Sequence, residues 1–150
     1  MAKPTRMLLA EDNPEDVELV LAALADVNLA GKVAVVHDGQ EALDYLFRRD
    51  RYAQRSQENP AVVLLDLKMP KLDGHEVLRA IRAAPTLRAV PVVMLTSSYD
   101  EREVSRSYEL GANAYVVKPQ GFQAFRETVA RLGVFWGLVN EPPPGSVANP

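Results

Sequence analysis

The sequence contains no cysteine. That excludes a disulfide framework, a thiolate zinc site and a cysteine nucleophile. Histidine is scarce: His37 and His75 are the only two, too few for most imidazole-built metal sites. Positive charge is not in excess. Seventeen Lys and Arg against twenty Asp and Glu leave a net charge of −3, so the basic face that nucleic acid needs is missing. Long apolar runs are missing too. Met7 to Ala10 stops at Glu11 and Asp12, which is short for a signal-peptide core and far from the ~20 apolar residues of a membrane span. No internal repeat and no low-complexity block interrupt the chain. What remains is 150 residues, 47% hydrophobic and 25% charged, which is the size of one domain with a sizeable core. The expectation is a soluble cytoplasmic domain that engages neither nucleic acid nor membrane.

Apolar runs and helical patterns alternate along the chain. Met7 to Ala10, Val33 to Val36, Val62 to Leu65, Val90 to Leu95 and Ala114 to Val117 read as strands. Between them lie amphipathic stretches. Val17, Val20, Leu21 and Leu24 recur at helical spacing after an Asn13 cap and Pro14 at the first helical position. Ala42, Leu43, Leu46 and Phe47 form the next apolar face, after a turn at Asp38-Gly39. Val77, Leu78 and Ile81 follow Asp73-Gly74. A weaker helix spans Glu101 to Leu110, with Val104 and Tyr108 read as inward, and Gly111 fits its C-cap. Phe122, Phe125, Val129, Leu132 and Trp136 mark a long last helix. The polar stretch Arg48 to Pro60 reads as a solvated surface loop. Residues 1–140 are expected to form one domain, and 141–150, with four Pro and one Gly, a disordered tail. Five strand–helix units predict an α/β fold with a doubly wound parallel sheet.

In such a sheet, ligands bind beyond the carboxyl ends of the strands. The polar residues that directly follow the apolar runs are Glu11 and Asp12, Asp66, Thr96 and Lys118. Taken singly, each has a plain reading: a helix-start acid, a strand-end hydroxyl, a solvated lysine. Together they form a set. Three carboxylates converging in one pocket need a cation, and hard oxygen donors suit Mg²⁺. A hydroxyl and an ammonium can both hold phosphoryl oxygens. The set predicts phosphoryl chemistry on a carboxylate, with Asp as nucleophile.

Four segments carry a resemblance. Leu8-Leu-Ala-Glu-Asp-Asn13, Leu64-Leu-Asp-Leu-Lys-Met-Pro70 with Asp73-Gly74, Val93-Met-Leu-Thr96-Ser97 and Tyr115-Val-Val-Lys-Pro119 are similar, in this order, to response-regulator receiver domains of two-component signalling. The resemblance runs from about Arg6 to Leu138. It implies a flavodoxin-like five-stranded sheet of order 2-1-3-4-5 with five helices, the last extended. It implies Asp66 as phosphoacceptor, and Glu11, Asp12, Asp66 and the backbone carbonyl of Lys68 as Mg²⁺ ligands. Thr96 resembles the switch hydroxyl, beside the small Ser97. Lys118 resembles the lysine that pairs with the phosphoryl group, its bond to Pro119 expected to be cis. Tyr115 resembles the aromatic switch. The partner implied is a sensor histidine kinase. Such a protein is a signalling phosphoprotein, catalysing only its own phosphoryl transfer and slow autodephosphorylation, rather than an enzyme on other substrates.

Asp12-Asn-Pro-Glu-Asp16, the long Arg48 to Pro60 loop and Phe135-Trp136 are similar to the small stand-alone receivers that partner phytochrome-type histidine kinases, or bacteriophytochromes. Residues after Leu138 are too few for an output domain, so the signal is expected to leave by protein–protein contact within a phosphorelay. Large aromatics are enriched in interface cores. A homodimer built on Phe122, Phe125, Phe135 and Trp136 is the expectation. Lys68, two residues after Asp66, is unusual against the broader family. Its side chain is expected to overhang the phosphoryl group and modulate the lifetime of the acyl phosphate.

Three alternatives stay open at this point. A haloacid-dehalogenase-type hydrolase also uses an Asp nucleophile with Mg²⁺, but it needs an acid where Lys68 stands, and a cap domain. A receiver-like module that takes no phosphate is the second. A flavin-binding relative of the same topology is the third, though no phosphate loop is visible.

Overall fold

Each apolar run becomes a parallel strand: β1 (Met7–Ala10), β2 (Val33–Val36), β3 (Val62–Leu65), β4 (Val92–Thr96) and β5 (Ala114–Val117). They form one sheet of order β2-β1-β3-β4-β5. The helices are α1 (Pro14–Asp26), α2 (Gly39–Phe47), α3 (Gly74–Ala83), α4 (Glu101–Glu109) and α5 (Phe122–Val134), which runs on as a π-helical turn over Phe135–Val139. This computed structural model describes residues 5–148. Residues 1–4, and Asn149 and Pro150 of the expected tail, lie outside the described residues. Fold class, strand order and the extended last helix are those expected.

Side chains alternate across a strand, so each strand feeds two cores. Leu8, Ala10, Val63, Leu65, Val92 and Met94 pack with Leu46 of α2 and with Val77, Leu78 and Ile81 of α3. Met7, Leu9, Val62, Leu64, Val93 and Leu95 pack with Val20 and Leu24 of α1 and with Phe125 and Val129 of α5. Burial on both faces is why the strands read as unbroken apolar runs. Among the described residues, no helix is long and apolar enough to cross a membrane.

Caps fix where the helices begin. Asn13 accepts hydrogen bonds from the backbone N–H groups of Glu15 and Asp16, and Pro14 opens α1. Asp73 and Glu76 form a reciprocal capping box at the start of α3.

The structure corrects several expectations. Asp38-Gly39 is not a free turn: Asp38 caps α2, and Gly39 is its first residue. On α4 the buried residue is Ser107, while Tyr108 is half-exposed. Ser107 fits because its hydroxyl is satisfied, donating to the Glu103 carbonyl and pairing with His75 Nε2 at 2.8 Å. The Arg48–Pro60 loop contains a short 3-10 turn, Asp50–Tyr52. In it Arg55 is not simply solvated: it donates to the carbonyls of Tyr45 and Glu58 and stands 4.3 Å over the Tyr45 ring. Residues 141–148 make contacts with the domain. Asn59 pairs with Ser146, and the buried Arg6 donates to the carbonyls of Gly137, Val147 and Ala148. The physical reason is a buried guanidinium that needs acceptors, which these carbonyls supply.

Candidate functional site

Strand register assembles the site. Ala10 of β1 pairs with Leu65 of β3, so Glu11 and Asp66, each one residue further on, end beside each other. Thr96 pairs with Val117, and the backbone N–H of Lys118 donates to the Thr96 carbonyl at 2.7 Å. Four strand ends thus open into one cavity of about 720 Å³, lined by Glu11, Asp12, Asp16, Asp66, Ser97 and Lys118, among others. Glu11, Asp66 and Thr96 are buried; Asp12 and Ser97 are exposed.

One side chain ties the pocket together. Lys118 Nζ donates to Glu11 Oε1 at 2.6 Å, to Asp16 Oδ2 at 2.8 Å and to Asp66 Oδ2 at 3.3 Å. Burial works against its charge, but the Asp16 and Glu11 hydrogen bonds and the Asp66 charge outweigh that and hold its pKa above the ordinary lysine value. For Glu11 burial wins instead. Burial, helped by the neighbouring Asp66 charge, pushes its carboxyl up to about 7 despite the Lys118 hydrogen bond. The backbone N–H groups of Asn13 and Leu67 donate to Glu11 and Asp66 respectively, which fixes both carboxylates.

Glu11, Asp12 and Asp66 each place a carboxylate oxygen within 4.8 Å of the other two. Three hard oxygen donors at that spacing fit a divalent cation that keeps part of its water shell. The buried Thr96 hydroxyl accepts from the Ser98 backbone N–H at 3.3 Å. The Tyr115 ring packs against the α2/α3-side core, and its hydroxyl donates to the Ser98 carbonyl at 2.9 Å.

Other expected residues stand elsewhere. Lys68 lines the cavity but turns its ammonium to α4, where it pairs with Glu103 at 2.9 Å. Glu103 in turn accepts from the Ser98 hydroxyl. The attraction of a partner carboxylate explains the rotation. None of the described peptide bonds is cis, so the Lys118–Pro119 bond is trans. Trans is the lower-energy isomer by about 0.5–1 kcal/mol, and in it Lys118 already reaches three carboxylates. Phe125 is buried in the core by α1 packing and is not free for a partner, whereas Phe122 and Phe135 are exposed. Trp136 is half-buried, edge-on to Phe135 with ring centroids 5.1 Å apart. Asp16 went unrecognised in the sequence beyond its place in the first turn of α1.

A family model described as the response regulator receiver domain matches residues 7–130. The chain belongs to the response-regulator receiver family. Receivers take a phosphoryl group on an aspartate from a histidine kinase, and this one is accordingly a signalling protein rather than a conventional enzyme. It is 40% identical over 133 residues to the probable methanogenesis regulatory protein FilR2 of Methanothrix harundinacea, covering 89% of this chain and 84% of that one. It is 35% identical over 133 residues to response regulator Rcp1 of Synechocystis, covering 89% of each. Among solved structures, the phosphorylated cyanobacterial phytochrome response regulator RcpA is similar at TM-score 0.87 and 37% identity, over 94% of this receiver and 99% of that chain. The bacteriophytochrome response regulator RtBRR is similar at TM-score 0.73 and 55% identity, over 97% and 87%. The Mn²⁺-bound form of Rcp1 is similar at TM-score 0.86 and 34% identity, over 93% and 99%.

Proposed function

We propose that Asp66 is the phosphoacceptor of this receiver, and that Lys118 neutralises the group it accepts. The observation that carries this reading is the Lys118 ammonium, buried between Asp66, Glu11 and Asp16 where β1, β3 and β5 end. The donor is a phosphohistidine of a sensor histidine kinase. A carboxylate oxygen of Asp66 attacks phosphorus in line. The P–N bond breaks, and its electron pair leaves on the imidazole nitrogen. Lys118 offsets charge on a phosphoryl oxygen. Glu11, Asp12, Asp66 and the carbonyl of Lys68 would hold Mg²⁺, which when bound supplies further charge neutralisation at those oxygens. The Thr96 hydroxyl turns from the Ser98 N–H to the phosphoryl group, beside the small Ser97. Tyr115, hydrogen-bonded to Ser98, follows that loop. The new charge thereby biases the surface of α4, β5 and α5.

Likeness to phytochrome response regulators supports a bacteriophytochrome-type kinase as donor in the cytoplasm. Exposed Phe122, and Phe135 with Val139 beside it, support a homodimer along α5 and its π-helical extension, with Trp136 at its edge.

Intact mass after incubation with a small acyl-phosphate donor, with and without Mg²⁺, tests the acceptor. The expected result is one Mg²⁺-dependent phosphoryl adduct that Asp66→Asn lacks. An adduct that survives Asp66→Asn, or no adduct on the wild type, overturns the assignment.

A further inference from the structure

Lys118 has three N–H donors, and three carboxylates take them. Two of those acids, Glu11 and Asp66, belong to the cluster that fits a cation. The third, Asp16, does not. It sits in the first turn of α1, its side chain 25% exposed, yet its contact with the ammonium is 0.5 Å shorter than that of Asp66, at 2.8 Å against 3.3 Å. An ammonium held by two short charge-assisted bonds gives less to its third partner.

We propose that Asp16 is a positioning residue: it draws the Lys118 ammonium toward α1 and away from the acceptor, and so limits how firmly the pocket holds a phosphoryl group. This rests on the reading of Asp66 as acceptor and Lys118 as its counter-charge. Two consequences of opposite sign follow from one carboxylate. A phosphoryl group on Asp66 brings fresh negative charge that must compete with Asp16 for Lys118 and is repelled by Asp16 itself. A divalent cation at Glu11, Asp12 and Asp66 gains from the same negative charge, and from having Lys118 partly neutralised. Asp16 therefore favours the metal and disfavours the phosphoryl group. The pocket, as built, is biased toward a short-lived acyl phosphate.

The test uses the full chain as wild type, Asp16→Asn and Asp16→Glu. Three quantities are read: Mg²⁺ affinity by calorimetric titration with the metal alone, beryllofluoride affinity at saturating Mg²⁺ by fluorine NMR, and adduct lifetime by intact mass after donor removal. Asp16→Asn is expected to weaken Mg²⁺ binding about 3- to 10-fold, the effect of one charge in a half-wet pocket, while beryllofluoride binds tighter and the adduct lives longer by similar factors. Asp16→Glu is expected to restore both toward the wild type. A merely structural role lowers all three together, and that result overturns the proposal. So do unchanged values in Asp16→Asn. Failure of the acceptor reading shows separately, as an adduct that persists in Asp66→Asn.

Discussion

Glu11 illustrates how one buried acid sets conditions for the whole pocket. Burial raises its carboxyl to about 7, so near neutral pH it is divided between a protonated form that cannot bind a cation and a carboxylate that can. Metal binding needs the carboxylate and therefore releases a proton. Mg²⁺ affinity is expected to rise between about pH 6 and pH 8, then level off; a flat profile measured by calorimetry in two buffers of different ionisation heat contradicts it. The sign for stability is opposite. The folded value lies above the unfolded one, so the metal-free protein has this contribution fully below about pH 4.5 and loses it as pH rises through about 7. At this scale the sequence was legible where side chains follow strands directly. Glu11, Asp12, Asp66, Thr96 and Lys118 could be named because each ends or directly follows an apolar strand. Asp16 and the orientation of Lys68 could not, because both depend on which charged neighbour a long side chain selects in three dimensions.

Elements hold these side chains in place through very close backbone approaches. Gly74, the first residue of α3, has no room for a side chain: a Cβ there would lie 2.3 Å from the Asp66 carbonyl oxygen. The Asp73-Gly74 pair after β3 thus serves two purposes. Asp73 caps α3, and Gly74 lets the helix start against the Asp66 backbone. Gly74→Ala is expected to destabilise the fold by about 1–3 kcal/mol, as forced overpacking does, and to displace Asp66. Thermal unfolding and adduct yield read the two effects; an unchanged midpoint argues that the helix start can shift freely. Strands and helix starts were legible because burial on two faces and cap residues leave a pattern. The inward face of α4 was not. Its single buried residue is a serine whose hydroxyl is satisfied by Glu103 and His75, and no apolar periodicity announces it.

The chain as a whole was legible as an alternation of five units that predicts a parallel sheet, while its strand order followed from resemblance. Composition carries no information about Arg6, and so none about the contacts of residues 141–148. That residue's buried guanidinium collects carbonyls from Gly137, Val147 and Ala148, so a Pro-rich segment is packed beside β1. The apolar residues left outside are concentrated late in the chain: Val134, Phe135, Leu138 and Val139 are all exposed. Sedimentation at tens of micromolar is expected to give a dimer, and Phe135→Glu a monomer that still takes the phosphoryl group. A wild-type monomer with and without beryllofluoride rejects that assembly. The pair between Lys68 and Glu103 adds a limit on how the parts communicate. It is a direct charge link between α4 and the residue two after Asp66, and any partner that pulls α4 outward must break it. Whatever free energy this link couples between α4 and the pocket acts equally in both directions. With Lys68 74% exposed, a pair of this kind is worth at most about 1 kcal/mol. At about 1.4 kcal/mol per tenfold, the link caps any coupling it carries between the two ends at about fivefold, which makes it a fine adjustment.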